Sequence, residues 1–186
     1  MLTLSKPTTN KRVFLTSILS AGLLVLLTGC PYQSPYKIDS EPQLAIDNNL
    51  IGNWNGMVVE ENGRQHEVLV SLSGKNEKEY EISFIGHFSR KNYKDPDRKD
   101  TISGTAFLSD IDNNRFLNIN LDGKYYICSV VMEDGKLSLM AMNEHFTSFV
   151  IMSDADLRRK LSYHFRTRRY PLYDDEFSMR NMEREK

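Results

Sequence analysis

The chain has 186 residues, 24 Lys+Arg against 25 Asp+Glu, a net charge of −1 and 40 % hydrophobic content. That length suits one domain with attachments, and the composition is globular, which sets aside collagen-like, disordered and polytopic membrane classes. A balanced charge leaves no electrostatic footprint for nucleic acid, and two cysteines are too few for a disulfide scaffold.

Residues 1–29 carry Lys6, Lys11 and Arg12 and no acidic residue. Val13–Leu27 is an uncharged apolar run of 15 residues, short of the roughly 20 that span a bilayer. A basic start followed by such a run reads as a secretory signal. Leu27-Thr28-Gly29-Cys30, which ends it, resembles a bacterial lipobox. The resemblance implies cleavage between Gly29 and Cys30, diacylglycerol on the Cys30 sulfur, and a further chain such as palmitate on the new amino group. Each buried methylene contributes about 0.8 kcal/mol, so two or three chains anchor stably where one does not. Loss of residues 1–29 would shift the net charge from −1 to −4. By the same resemblance, Pro31 stands where an Asp would retain the protein in the inner membrane. The expected location is therefore the outer membrane, facing the periplasm.

Residues 30–50 form the lipidated Cys and a tether. Pro31–Pro42 holds three prolines and little periodicity. A Pro-rich chain at about 3.1 Å per residue could hold a domain roughly 60 Å from the bilayer.

Residues 51–152 show the period of two that marks strands. Val68, Val70 and Leu72 share one face, as do Tyr80, Ile82 and Phe84, then Ile102, Gly104, Ala106 and Leu108, then Leu117, Ile119 and Leu121, then Leu137, Leu139 and Ala141. Asn62-Gly63, Asp122-Gly123 and Asp134-Gly135 lie between such runs and supply the positive φ angles of tight hairpins. The expected strands are 51–61, 65–73, 79–87, 101–109, 115–121, 124–133, 136–142 and 145–152. An all-β, antiparallel up-and-down meander of eight strands would close into a barrel, which removes its edges. Gly86 and Gly104, on the inward faces, suit the bends that closure needs. Phe88–Asp100 interrupts the pattern with eight charged residues in thirteen and reads as a solvated loop.

Residues 153–186 are read as a helix and a polar tail. Ser153 and Asp156 resemble a capping box. Leu157, Leu161 and Phe165 make a narrow apolar stripe expected to lie on the barrel wall. Pro171 ends the helical pattern, and the residues beyond it read as a tail, partly disordered or folding on a partner.

Gly52-Asn53-Trp54, at the opening of the first strand, resembles the Gly-x-Trp motif of the lipocalin and wider calycin families. Those families build eight-stranded up-and-down barrels followed by a helix, and the resemblance implies an interior able to hold one small apolar ligand. The inward aromatics Trp54, Tyr80 and Phe84 are then the candidate ligand contacts. The strand region is short for a lipocalin, so a filled barrel and a hollow one are both compatible with it.

Other chemistry is sparse. Cys128 has no partner cysteine once Cys30 is lipidated and reads as a core thiol. Asp110-Ile-Asp112-Asn-Asn114 begins like a calcium loop, but Arg115 and Leu121 replace its Gly and Glu, so it reads as a turn. His66, His87, His145 and His164 lack metal-binding spacing, and there is neither a nucleophile elbow nor a phosphate loop. No catalytic residue, metal site or cofactor is therefore expected. Arg158–Arg169 holds six basic residues in twelve, namely Arg158, Arg159, Lys160, Arg166, Arg168 and Arg169. They are candidates for contact with an anionic lipid or an acidic envelope protein, against the alternative of a solvated helix face. Two functions follow. One is a membrane-anchored lipoprotein whose barrel binds a small amphipathic or apolar ligand. The other is a non-catalytic envelope scaffold that uses the basic helix and tail.

Overall fold

The computed structural model describes residues 33–59, 63, 65–88, 99–143, 151–167, 172–173, 175 and 178–185. Cys30, Gly29 and the rest of the lipobox, most of the charged loop after Phe88, His145, Arg168 and Arg169 lie outside them.

Eight antiparallel strands close into a barrel in simple sequential order. They are β1 (Gly52–Val59), β2 (Gln65–Gly74), β3 (Glu79–Gly86), β4 (Asp100–Ile111), β5 (Asn114–Leu121), β6 (Lys124–Glu133), β7 (Lys136–Ala141) and β8 (Met179–Arg184). The all-β barrel inferred from the period of two is thus present. The inward residues are the apolar series read from the sequence, and Val70, Tyr80, Leu117, Leu137 and Leu139 are fully enclosed. Asp122-Gly123 and Asp134-Gly135 turn with φ of 51° and 80°, and of 50° and 76°, as the hairpin reading requires. Asp112-Asn113 adds a third such turn, with φ of 51° and 64°, so the calcium-like run is an inter-strand connection. Gly104 is obligatory for a different reason: a Cβ there would lie 2.0 Å from the Asn120 carbonyl oxygen.

The closing strand differs from expectation. The segment expected as the eighth strand, 145–152, lies mostly outside the described residues, and Ile151 and Met152 are not in a strand. The eighth strand is β8, drawn from the polar tail. It pairs with β7 through Leu137↔Met182 and Leu139↔Met179, and with β1 through Trp54↔Arg184 and Asn55↔Glu183. The register shifts between Leu137 and Leu139, where Asn181 adopts φ of 53°. This extra residue lets Met179 and Met182, three apart, both point inward, as a bulge does.

The helix α1 (Asp154–Thr167) packs on the outside of the barrel. Leu157 and Leu161 meet Ile111, Phe116 and Ile127, outward residues of β4, β5 and β6, and form a second apolar cluster. Its start is capped as expected: the Ser153 hydroxyl accepts from Asp156 N at 3.1 Å, and the Asp156 carboxylate accepts from Met152 N at 3.2 Å.

Residues 33–50 are not a free spacer. Ser34 makes an antiparallel bridge to Tyr125, on the part of β6 that β7 does not cover. Ile38 is buried in the outer cluster, and its N–H donates to the Asn118 side chain at 2.7 Å. Lys37 N–H donates to Asp154 at 3.0 Å. Asn118 is itself fully buried and also donates to the Ser109 hydroxyl at 2.8 Å, so a polar residue inside the apolar wall is satisfied while it fastens the chain. The Pro-rich composition concealed this docking because it rests on a few hydrogen bonds and one apolar side chain.

Candidate ligand-binding cavity

The two ends of the barrel are built differently. At the end holding the β2–β3, β4–β5 and β6–β7 turns, large side chains fill the interior. Trp54 is fully buried and its indole N–H donates to the Leu50 carbonyl at 2.9 Å. The Arg184 guanidinium lies 4.7 Å from the Trp54 ring centre and donates to the Asn49 carbonyl at 2.6 Å. The Tyr80 hydroxyl donates to the Asp47 carbonyl at 3.3 Å and accepts from Asp47 N–H. Burial pushes the Tyr80 phenol above its ordinary pKa. The Asp47 carboxylate is held below the usual range, first by the Asn49 N–H and then by Arg115. Residues 47–50 therefore plug this end. A hollow of ≈ 380 Å³ outside the plug, between Asp47, Trp54, Met132 and Arg184, is a surface groove with charged walls.

At the other end small residues take over. Val68, Cys128 and Ala141 face inward where Trp54 and Tyr80 stand at the closed end. The space left is a cavity of ≈ 380 Å³ inside the barrel, with Phe84, Ile119, Leu121 and Met179 as further apolar wall. Phe88 and Ile102, which are 40 % and 37 % exposed, also line it. Polar groups on the wall are few, namely His66, His87, the Tyr126 phenol and the Cys128 thiol. The His87 Nδ1 is buried with no hydrogen-bond partner. Burial raises the Cys128 thiol to about 12, which keeps it protonated and unsuited to nucleophilic attack. Among the described residues no three metal-ligating side chains come together.

The sequence-derived residues divide accordingly. Phe84 lines the cavity. Trp54 and Tyr80 belong to the plugged end and do not line it. Period-two reading identifies the inward face but not the end, and it overlooked His66 and Tyr126, whose signal was only an inward register near a strand end, and His87, which follows the last residue of β3. His164 is instead buried on α1, where desolvation lowers its pKa.

Three of the six basic residues form ion pairs within the protein. Arg158 pairs with Asp39 at 2.5 Å and donates to the Asp110 carbonyl at 2.7 Å. Arg159 and Lys160 both pair with Asp156, at 2.6 and 3.1 Å. Arg166 is exposed on the last turn of α1.

What the geometry defines is an eight-stranded closed antiparallel barrel with a plugged end and, among the described residues, an apolar cavity toward the other end. Comparison of the chain with protein-family models, with curated proteins and with solved structures finds no match.

Proposed function

We propose that this protein is a lipid-anchored lipoprotein of the outer membrane whose periplasmic, lipocalin-like barrel binds a small apolar or amphipathic molecule without catalysis. The observation that carries the binding reading is the ≈ 380 Å³ interior cavity, which is within the range of small-molecule sites and is lined mainly by apolar side chains with a few polar groups. The lipobox residues ending at Cys30 and the basic, apolar leader before them carry the anchor reading. The Gly52-x-Trp54 motif, a helix after the seventh strand and the closed barrel support the lipocalin-like relationship. The scaffold reading draws less support, because Arg158, Arg159 and Lys160 are already paired inside the protein.

Displacement of an apolar fluorescent probe from the mature protein tests the binding reading. Wild type should hold the probe, while Ala141→Phe, which fills the cavity, should not. Equal binding by the two, or none by either, overturns it. Labelling with a palmitate analogue tests the anchor separately: wild type should be marked and Cys30→Ala should not, and equal marking overturns that part.

A further inference from the structure

Two outer faces of the barrel are complementary and lie on opposite sides. α1 packs on the outer faces of β4, β5 and β6. The outer face of β1, β2 and β3 carries no helix among the described residues. Met57 on it is 41 % exposed, and Leu69 and Ile85, register partners at its centre, are half-buried.

Strand register gives this face a shallow trough. Asn53, Ser71, Ser83 and Ser103 stand opposite one another on β1 to β4, about 14 Å from first to last at the usual strand spacing. Their side chains are shorter than the Leu69–Ile85 row on one side and the Glu81–Thr105 row on the other. The face is also one-signed. The outward residues of these strands include Glu67, Glu79 and Glu81 and no cation. Lys75 and Lys78, in the turn after β2, and Lys99, before β4, stand at strand ends, and Lys75 is paired with Glu79. Glu67 and Glu81 are exposed and make no ion pair with a described residue.

The solvent side of α1 is the complement. Ala155, Arg159, Tyr163 and Arg166 recur at spacings of four, four and three, which is one helix stripe, and all four are exposed. The Tyr163 ring, 59 % exposed, stands between the two arginines. Arg159 is paired with Asp156 of its own helix and its side chain is still 79 % exposed. Arg166 makes no ion pair with a described residue. In the closed order β1 to β8, β1 is four strands from β5, the middle strand under α1. One molecule therefore cannot lay its own stripe on its own acidic face.

We infer that copies of this chain associate head to tail, with α1 of one copy on the β1–β3 face of the next, Tyr163 in the serine trough and Arg159 and Arg166 against Glu67 and Glu81. The arginines are about 10 Å apart along the helix and the glutamates roughly 20 Å apart along the strands, a difference that the outstretched arginine and glutamate side chains bridge. Two unlike faces meet, so the contact does not close at two copies and builds a row. A helix laid on three strands belongs with the small, transient interfaces, below roughly 1,200 Å² in total. Neither ligand binding nor the acyl anchor enters this contact.

The test is cross-linking of the purified mature protein at high concentration. A chain carrying Ser83→Cys and Tyr163→Cys is treated with a short bis-maleimide, and the chain without them is the background. A ladder of two, three and four copies is expected. No product above background overturns the proposal, and a product that stops at two copies overturns the head-to-tail arrangement. Arg159→Glu with Arg166→Glu should cut the ladder several-fold, and adding Glu67→Arg with Glu81→Arg to the same chain should restore it. All four positions are exposed, and the restored chain shows that the reversed helix still folds. A ladder indifferent to the first pair, or not restored by the second, overturns the charge pairing. In cell extract, a product of a mass that is no multiple of the chain, in place of the ladder, means that another protein covers the face and overturns self-association.

Discussion

Arg184, on the last strand, lies over the ring of Trp54, on the first, with its guanidinium 4.7 Å from the ring centre. The two residues are also register partners where β8 meets β1. One contact therefore fastens the seam of the barrel and covers its plugged end. Arg184→Ala should cost about 1–2 kcal/mol, from loss of a cation–π contact made by an exposed guanidinium and of the bond to Asn49. Denaturant unfolding followed by Trp54 emission measures it, and the emission of the native variant should shift to the red as water reaches the indole. An unchanged midpoint would show that the seam is held elsewhere.

Removal of residues 179–186 should be far more damaging. Without β8 the edges of β1 and β7 are left unpaired, and Met179 and Met182 no longer fill the interior. Loss of a cooperative thermal transition by circular dichroism is the expected result. A truncated protein that melts as wild type does would mean that the tail is dispensable.

Gly104→Ala should destabilise by about 1–3 kcal/mol or more, because the added methyl meets the Asn120 backbone and not a side chain that can turn away. Gly63→Ala is the control, since it has open space and only its φ of 78° to overcome. The order of the two melting temperatures checks the argument, and a milder Gly104 variant contradicts it.

Asn118→Leu should release the docked segment. The Ile38 N–H then loses a buried acceptor, a loss of about 1–3 kcal/mol. Hydrogen exchange at Ile38 should quicken while exchange in β2 and β3 stays slow. Uniform acceleration across the barrel would indicate a global effect instead.

The Cys128 thiol should resist alkylation in the native state at neutral pH and react on unfolding. The sign of its pH linkage follows from a folded value raised from 9.0 to about 12. Its contribution is fully present below the unfolded value and is lost as pH rises from about 9 toward 12. Stability of wild type should therefore fall across that window more than that of Cys128→Ala, as read from denaturation midpoints.

Much of this architecture was legible in the sequence, and the failures have physical causes. Alternation named the inward residues of β2 to β5 and β7, because each strand there has one face toward the core. Asp-Gly pairs located the tight turns because few residues tolerate positive φ. The run Met179-Arg-Asn-Met182 hid its strand because the bulge at Asn181 replaces a spacing of two by three. Ser34 and Ile38 hid in a Pro-rich segment because their docking depends on a partner 80 or more residues away, Asn118 or Tyr125. The candidate site was half visible. Phe84 was found by its face, but Trp54 and Tyr80 share that face and lie at the opposite end. Only the three-dimensional stagger of the strands separates plug from cavity.

The central claim is that the open half of the barrel is a ligand site. An isotope-filtered NMR experiment with carbon-labelled dodecanoate tests it most directly. The chain methylenes should show contacts to Phe84, Ile119 and Leu121, and these should vanish in Ala141→Phe. Contacts confined to outward residues, or none at saturating dodecanoate, would contradict the account.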